Sequence, residues 1–166
     1  HALMIGQLRG TLSFVGDEDV ILDVAGVGYH ITVSKDSIAA LALKEEEPIT
    51  LWIHHHVRED MNDLYGFLDK TELDFFERLI KISGIGPKSG LSILGVAPIA
   101  TLRVAIGSGD ISYLTKVSGI GKKTAEKIIL ELRDVFANEA MPLGGKDDLD
   151  ALEALHALGY SEREAR

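Results

Sequence analysis

Two stretches of this chain share one pattern of residues suited to holding an anion. Lys81-Ile-Ser-Gly-Ile-Gly-Pro-Lys-Ser-Gly-Leu-Ser-Ile-Leu94 aligns without gaps on Lys116-Val-Ser-Gly-Ile-Gly-Lys-Lys-Thr-Ala-Glu-Lys-Ile-Ile129, at an offset of 35 residues and with 7 of 14 positions identical. Each copy reads as an apolar helix, a Ser-Gly-Ile-Gly turn and a second helix that opens on basic residues. Glycine permits the positive φ of a tight hairpin and leaves no side chain in the way of an approaching phosphate. The isoleucine between the glycines can turn inward and pin the hairpin to a core. The following helix presents unpaired N–H groups and the positive end of its dipole, which together make an anion site. The expected contacts are therefore Ser83, Gly84, Ile85, Gly86 and Lys88 in the first hairpin. In the second they are Ser118, Gly119, Ile120, Gly121, Lys122, Lys123 and Lys127. One Gly-Ile-Gly alone would be as readily an ordinary helix–helix turn. Two copies with basic followers make a helix-hairpin-helix pair for the phosphates of a nucleic acid. Backbone amides touch no base edge, so such binding is blind to sequence.

Charge places the same site. The chain is net −9 over 166 residues, yet residues 67–138 carry 10 basic and 8 acidic side chains between flanks of net −7 and −4. A polyanion would settle on that central island. Gly121-Lys122-Lys123-Thr124 invites a nucleotide-binding reading, but Lys123 interrupts the Gly-Lys-Ser/Thr order and Lys116 stands where an upstream glycine is required. ATP binding is rejected, and no cofactor is expected.

The elements that must position the hairpins fall into three parts. Residues 4–66 read as five strands rich in β-branched and aromatic residues, with a short helix at about 36–43 before the fourth. That order suits a small OB-type barrel. Turns are expected at Gly16–Asp19, Gly26–Gly28 and Arg58–Asp63. Residues 67–137 read as an all-α domain, whose first helix takes Thr71 as N-cap with Asp74 three residues on. Asn138–Lys146 reads as a linker, and residues 147–166 as a partial helical domain with an apolar stripe through Leu155 and Leu158. The class is α+β multidomain. No apolar run reaches about 18 residues and no signal-peptide pattern is present, so neither a membrane span nor export is expected. Cysteine is absent, which excludes thiol chemistry and fits a reducing cytoplasm. His1-Ala2-Leu3 precede Met4, the expected natural start.

His54-His55-His56 lies inside a strand-like run, with His54 and His56 on one face and His55 on the other. Further ligands for a closed metal site are not identifiable, so no metal is expected. Glu59 and Asp60 fall at a turn between strands, where carboxylates are most often simply solvated.

Met4-Ile-Gly-Gln-Leu-Arg-Gly10, Gly26-Val-Gly-Tyr29, Val57-Arg-Glu-Asp60, Leu64-Tyr-Gly-Phe67 and the paired hairpins, in this order and spacing, resemble the RuvA family of bacterial Holliday junction-binding proteins. The likeness runs from Met4 to about Ala137 and resumes at Ala154-Leu-His-Ala-Leu-Gly-Tyr160. It implies an N-terminal OB-fold that assembles tetramers, a tandem helix-hairpin-helix domain and a C-terminal UBA-like domain. It further implies that a homotetramer, or an octamer of two face to face, holds a four-way junction open and square-planar. An ATP-driven hexameric motor, RuvB, would then move the arms in branch migration during recombination, repair and the SOS response to DNA damage, with the resolvase RuvC as a further partner. Glu59 and Asp60 match the family's acidic pin at the junction centre, and Leu155, Leu158 and Tyr160 match its motor contacts. The last three serve equally as core of a small domain. Two departures stand out: the linker is shorter than is usual in the family, and the third domain would extend beyond Arg166. Lys127 also stands where members often carry Arg, keeping the charge without the bidentate geometry.

Two other classes compete. The hairpin also resembles that of base-excision DNA glycosylases, with Asp134 as the catalytic acid, though about 70 helical residues cannot enclose a base-flipping pocket. A single-strand-binding OB module would need a basic, aromatic-lined groove, against the net −7 of residues 4–66.

Overall fold

The computed structural model describes residues 4–44 and 47–139. Five strands, β1 (Gln7–Val15), β2 (Asp19–Val24), β3 (Val27–Thr32), β4 (Ile49–Arg58) and β5 (Met61–Phe67), close into a barrel in the order β1-β2-β3-β5-β4. Closure depends on one bent strand and one parallel pair. The first half of β1 pairs with β4, and its second half, beyond a register shift between Leu12 and Phe14, pairs with β2. Such an irregularity bends a strand and lets it serve two neighbours. β3 then pairs in parallel with β5 through Ile31 and Leu64. Helix α1 (Lys35–Ala42) fills the link between β3 and β4, and the Ser34 side chain caps it by accepting from the Ser37 N–H. Val20, Leu22, Ile31, Leu51 and Ile53, fully enclosed, make the barrel core. This is the five-strand OB-type barrel expected.

Two turns differ from expectation. The β2–β3 turn is Ala25-Gly26 and not Gly26–Gly28, because both residues take positive φ, 53° and 88°, and Val27 already pairs with Val24. A two-residue turn of that hand matches strand twist, and Asp23 secures it by accepting from the Gly26 N–H. Between β4 and β5 the ladder continues to Arg58 opposite Met61, so the expected six-residue turn shrinks to Glu59-Asp60 at the tip of a long hairpin.

The helical domain follows as α2 (Lys70–Ile80), α3 (Pro87–Leu94), α4 (Ile99–Ser108), α5 (Ile111–Leu114) and α6 (Lys122–Glu139). The α2 cap is Asp69, not Thr71: its carboxylate accepts from the Glu72 N–H at 2.8 Å, while Glu72 reaches back to the Leu68 N–H. Asp at the cap with Glu three residues on is the stronger capping pair. Helix α6 runs through Glu139, two residues into the stretch read as linker. The sequence repeat becomes a repeat in the core. Leu79, Ile82, Ile85 and Ile93 and their counterparts Leu114, Val117, Ile120 and Ile128 share one buried cluster. Barrel and helices meet in a second apolar seam, where Phe76 of α2 lies 4.8 Å from the ring of Phe67 and 5.6 Å from that of Tyr65.

Candidate nucleic-acid interface

Both hairpins are built by the same backbone bonds. In the first, the Ile85 N–H donates to the Ile82 carbonyl at 3.0 Å, and the Gly90 N–H opens α3 by donating to the Gly86 carbonyl at 2.9 Å. In the second, Ile120 donates to Val117 at 3.0 Å and Ala125 to Gly121 at 2.9 Å. Gly84 and Gly119 sit at φ of 95° and 85°, a conformation that side-chain-bearing residues rarely adopt. Ile85 and Ile120 are each only 5% exposed, so they pin the turns from inside as expected and contribute to any interface through position alone.

What remains outside is a set of donors. Among the backbone bonds of the described residues, none is donated by the N–H groups of Gly84, Gly86 and Lys88, or of Gly119, Gly121, Lys122 and Lys123, and all seven residues are exposed. Pro87 lacks an N–H and sits at the helix start, where none is needed. A Cβ built on any of the four hairpin glycines would meet no protein atom within 4 Å. Gly86 has an ordinary extended backbone, φ −92° and ψ 176°, so neither strain nor packing asks for glycine there. Open space beside unpaired donors is the geometry that lets a phosphate come close.

Ser83, Lys88, Ser118, Lys122 and Lys123 are exposed around these turns. Lys127 departs from expectation. Its ammonium reaches across to the Ser83 carbonyl at 3.3 Å, so the second hairpin's helix lends its charge to the first hairpin. No sequence signal links residues 44 apart, and only the fold brings them together. The barrel supplies another cation unforeseen from its acidic composition. Lys35 lines a groove of about 480 Å³ together with Lys88, Ser92 and Ser118, beside an exposed pair with Glu18 at 3.4 Å.

Glu59 and Asp60 are exposed at the tip of the β4–β5 hairpin. The histidine run lies behind them on β4. His54 and His56 share a face, with Nε2 of the first 3.4 Å from Nδ1 of the second, while His55 donates from the other face to Asn62 Oδ1 at 2.6 Å. Burial, then the Arg58 charge, then His54, hold the His56 pKa below its ordinary value, with Asp63 opposing. A histidine whose folded pKa is depressed stabilises the fold while neutral. Its contribution is complete above the unfolded value of about 6.5 and is lost as pH falls below it. The melting temperature is therefore expected to drop from pH 7 to 5.5, and less so in His56→Gln, by thermal melts at both pH values. Equal slopes would remove His56 as the cause.

Asp134 is exposed on α6, in an open depression with Ser108, Ile111 and Arg133, away from the hairpin glycines. That depression is open and does not enclose a base. Leu155, Leu158 and Tyr160 lie outside the described residues.

Among the described residues, an OB-type barrel followed by duplicated glycine hairpins defines a tandem helix-hairpin-helix protein. Residues 4–66 match the family model described as the RuvA N terminal domain, and residues 76–134 match the SAM-like helix-hairpin-helix tandem. The chain is 46% identical over 168 residues to the Holliday junction branch migration complex subunit RuvA of Methylibium petroleiphilum, covering 98% of this chain and 87% of that one. It is likewise 46% identical over 165 residues to the protein of that name from Caldanaerobacter subterraneus, and 41% over 178 residues to that from Pseudomonas fluorescens, with the same coverages. The chain belongs to the RuvA family. These likenesses give no support to the glycosylase reading.

Proposed function

We propose that this chain is the DNA-binding subunit of a branch migration complex, recognising four-way junctions by shape and not by sequence. The observation that carries this is the duplicated hairpin, in which unpaired N–H groups and open space stand side by side at Gly86 and again at Gly121. Each hairpin takes one phosphate strand of a duplex arm, and the two together straddle a minor groove. The Glu59-Asp60 tip is the acidic pin. Carboxylates there repel phosphates, keep a continuous duplex from docking across the centre and part the strands at the crossover.

Residues 4–66 form the assembly and pin domain, 67–137 the DNA-binding domain, 138–146 a linker and 147–166 part of the domain that contacts the motor through Leu155, Leu158 and Tyr160. Four copies surround the junction, alone or as two tetramers face to face. Phe14, Val27, Val57 and Met61, exposed apolar residues of the barrel strands, support such assembly. ATP hydrolysis belongs to the RuvB-type motor, RuvC-type resolvase shares the junction, and the setting is the cytoplasm.

Lys123→Glu tests the second hairpin. Losing one phosphate contact should weaken junction binding and reduce the slope of log affinity against log salt by about 1. Titrations of labelled junction at several salt concentrations measure this, and an unchanged slope would remove Lys123 from the interface.

A further inference from the structure

The proposed reading needs two features held in register, the acidic tip on the barrel and the glycine hairpins on the helices. A polar contact crosses the seam between them. Nδ1 of His54, on β4, lies 3.1 Å from Oε1 of Glu77 on the last turn of α2. His54 is 8% exposed, and its ring packs against Phe76 at 5.4 Å and Tyr65 at 6.4 Å. A carboxylate only accepts, so Nδ1 of His54 donates to it, and Nε2 of His54 lies 3.4 Å from Nδ1 of His56. The ring is thus contacted at both nitrogens and by two aromatic neighbours.

The positions of the two partners give this contact its consequence. From His54, β4 runs straight to the tip, five residues and about 17 Å away at Glu59. From Glu77, α2 ends one turn later and the chain enters Ser83–Gly86. Strand, hydrogen bond and helix therefore join the tip to the first hairpin.

We propose that the His54–Glu77 hydrogen bond is a positioning contact that fixes the acidic tip relative to the glycine hairpins. This rests on the junction-binding reading above. The apolar seam brings the two domains together, but packed rings can slide past one another. A directional bond to a nearly buried imidazole selects one arrangement. Loss of the bond leaves each hairpin able to hold a duplex arm, while the tip no longer stands where the crossover requires it. The pair then governs discrimination between junction and duplex, not the grip itself.

The test compares affinities of the full chain for a four-way junction and for linear duplex of the same sequences. Glu77→Ala and His54→Phe, which keeps a ring against Tyr65 and Phe76, should each lower the junction-to-duplex ratio by roughly tenfold. Linear duplex affinity should stay within about twofold of the parent, and the double variant should be no worse than either single. Glu77→Gln, which retains the acceptor, should restore the parent ratio. Glu77 is partly exposed, so Glu77→Ala decides the matter even if His54→Phe fails to fold. An unchanged ratio in folded Glu77→Ala overturns the inference, as does a loss of duplex affinity in step with junction affinity. A parent chain with no preference for junctions would instead overturn the junction-binding reading, and the inference with it.

Discussion

Gly86→Ala with Gly121→Ala is expected to leave the fold as stable as before, or slightly more so, while DNA binding falls by roughly 30-fold for each hairpin changed. The stability half follows from geometry. An added Cβ at either glycine meets nothing within 4 Å, and neither residue is among those with positive φ. Alanine in a compatible conformation stabilises by about 0.4–1 kcal/mol through the unfolded chain. The binding half follows from what occupies that open space in the complex. A methyl group there holds the phosphate away from the unpaired N–H groups, and a charge-assisted hydrogen bond of about 2 kcal/mol corresponds to roughly 30-fold in affinity. Gly84→Ala and Gly119→Ala should behave oppositely, destabilising by about 1 kcal/mol or more because the turn needs φ near 90°. Thermal melts and junction titrations on the four variants separate the two roles. Full binding by the Gly86/Gly121 double variant would mean that phosphates do not approach the second glycine of each turn.

The second large effect concerns repulsion. Glu59→Ala with Asp60→Ala should raise affinity for linear duplex by about tenfold at low salt, with a smaller change for the junction. Both residues are exposed at the tip of a two-residue turn and form no ion pair among the described residues, so their removal costs the fold little. Exposed charges act over about one Debye length, near 10 Å at 0.1 M salt, so the gain should shrink as salt rises. Competition titrations with linear duplex at two ionic strengths measure it. A flat duplex affinity would reduce the tip to a solvated turn.

Much of the hairpin geometry was readable in advance because its chemistry is local. Glycine, isoleucine and a following lysine at fixed spacing determine a turn and its donors within a few residues, and duplication 35 residues on excluded coincidence. The barrel strands were legible from β-branched runs. The misses share a cause in contacts the chain order hides. Asp69 outcompetes Thr71 as cap because Glu72 answers it. Ala25 is forced into the left-handed region by strand pairing, not by its own preference. The partners of His54 and Lys127 stayed unread because Glu77 stands 23 residues beyond His54, and Lys127 meets Ser83 across 44. The tip was placed correctly but blurred, since Arg58 and Met61–Asp63 gave no sign that the ladder would run on to the Arg58–Met61 pair.

Shape recognition is the central claim, and competition tests it most directly. The full chain, bound at fixed salt to a labelled four-way junction, is challenged with unlabelled junction or with linear duplex of the same sequences. Duplex should compete less well by about two orders of magnitude or more. Equal competition by both would contradict the account and leave the hairpins as a general grip on DNA.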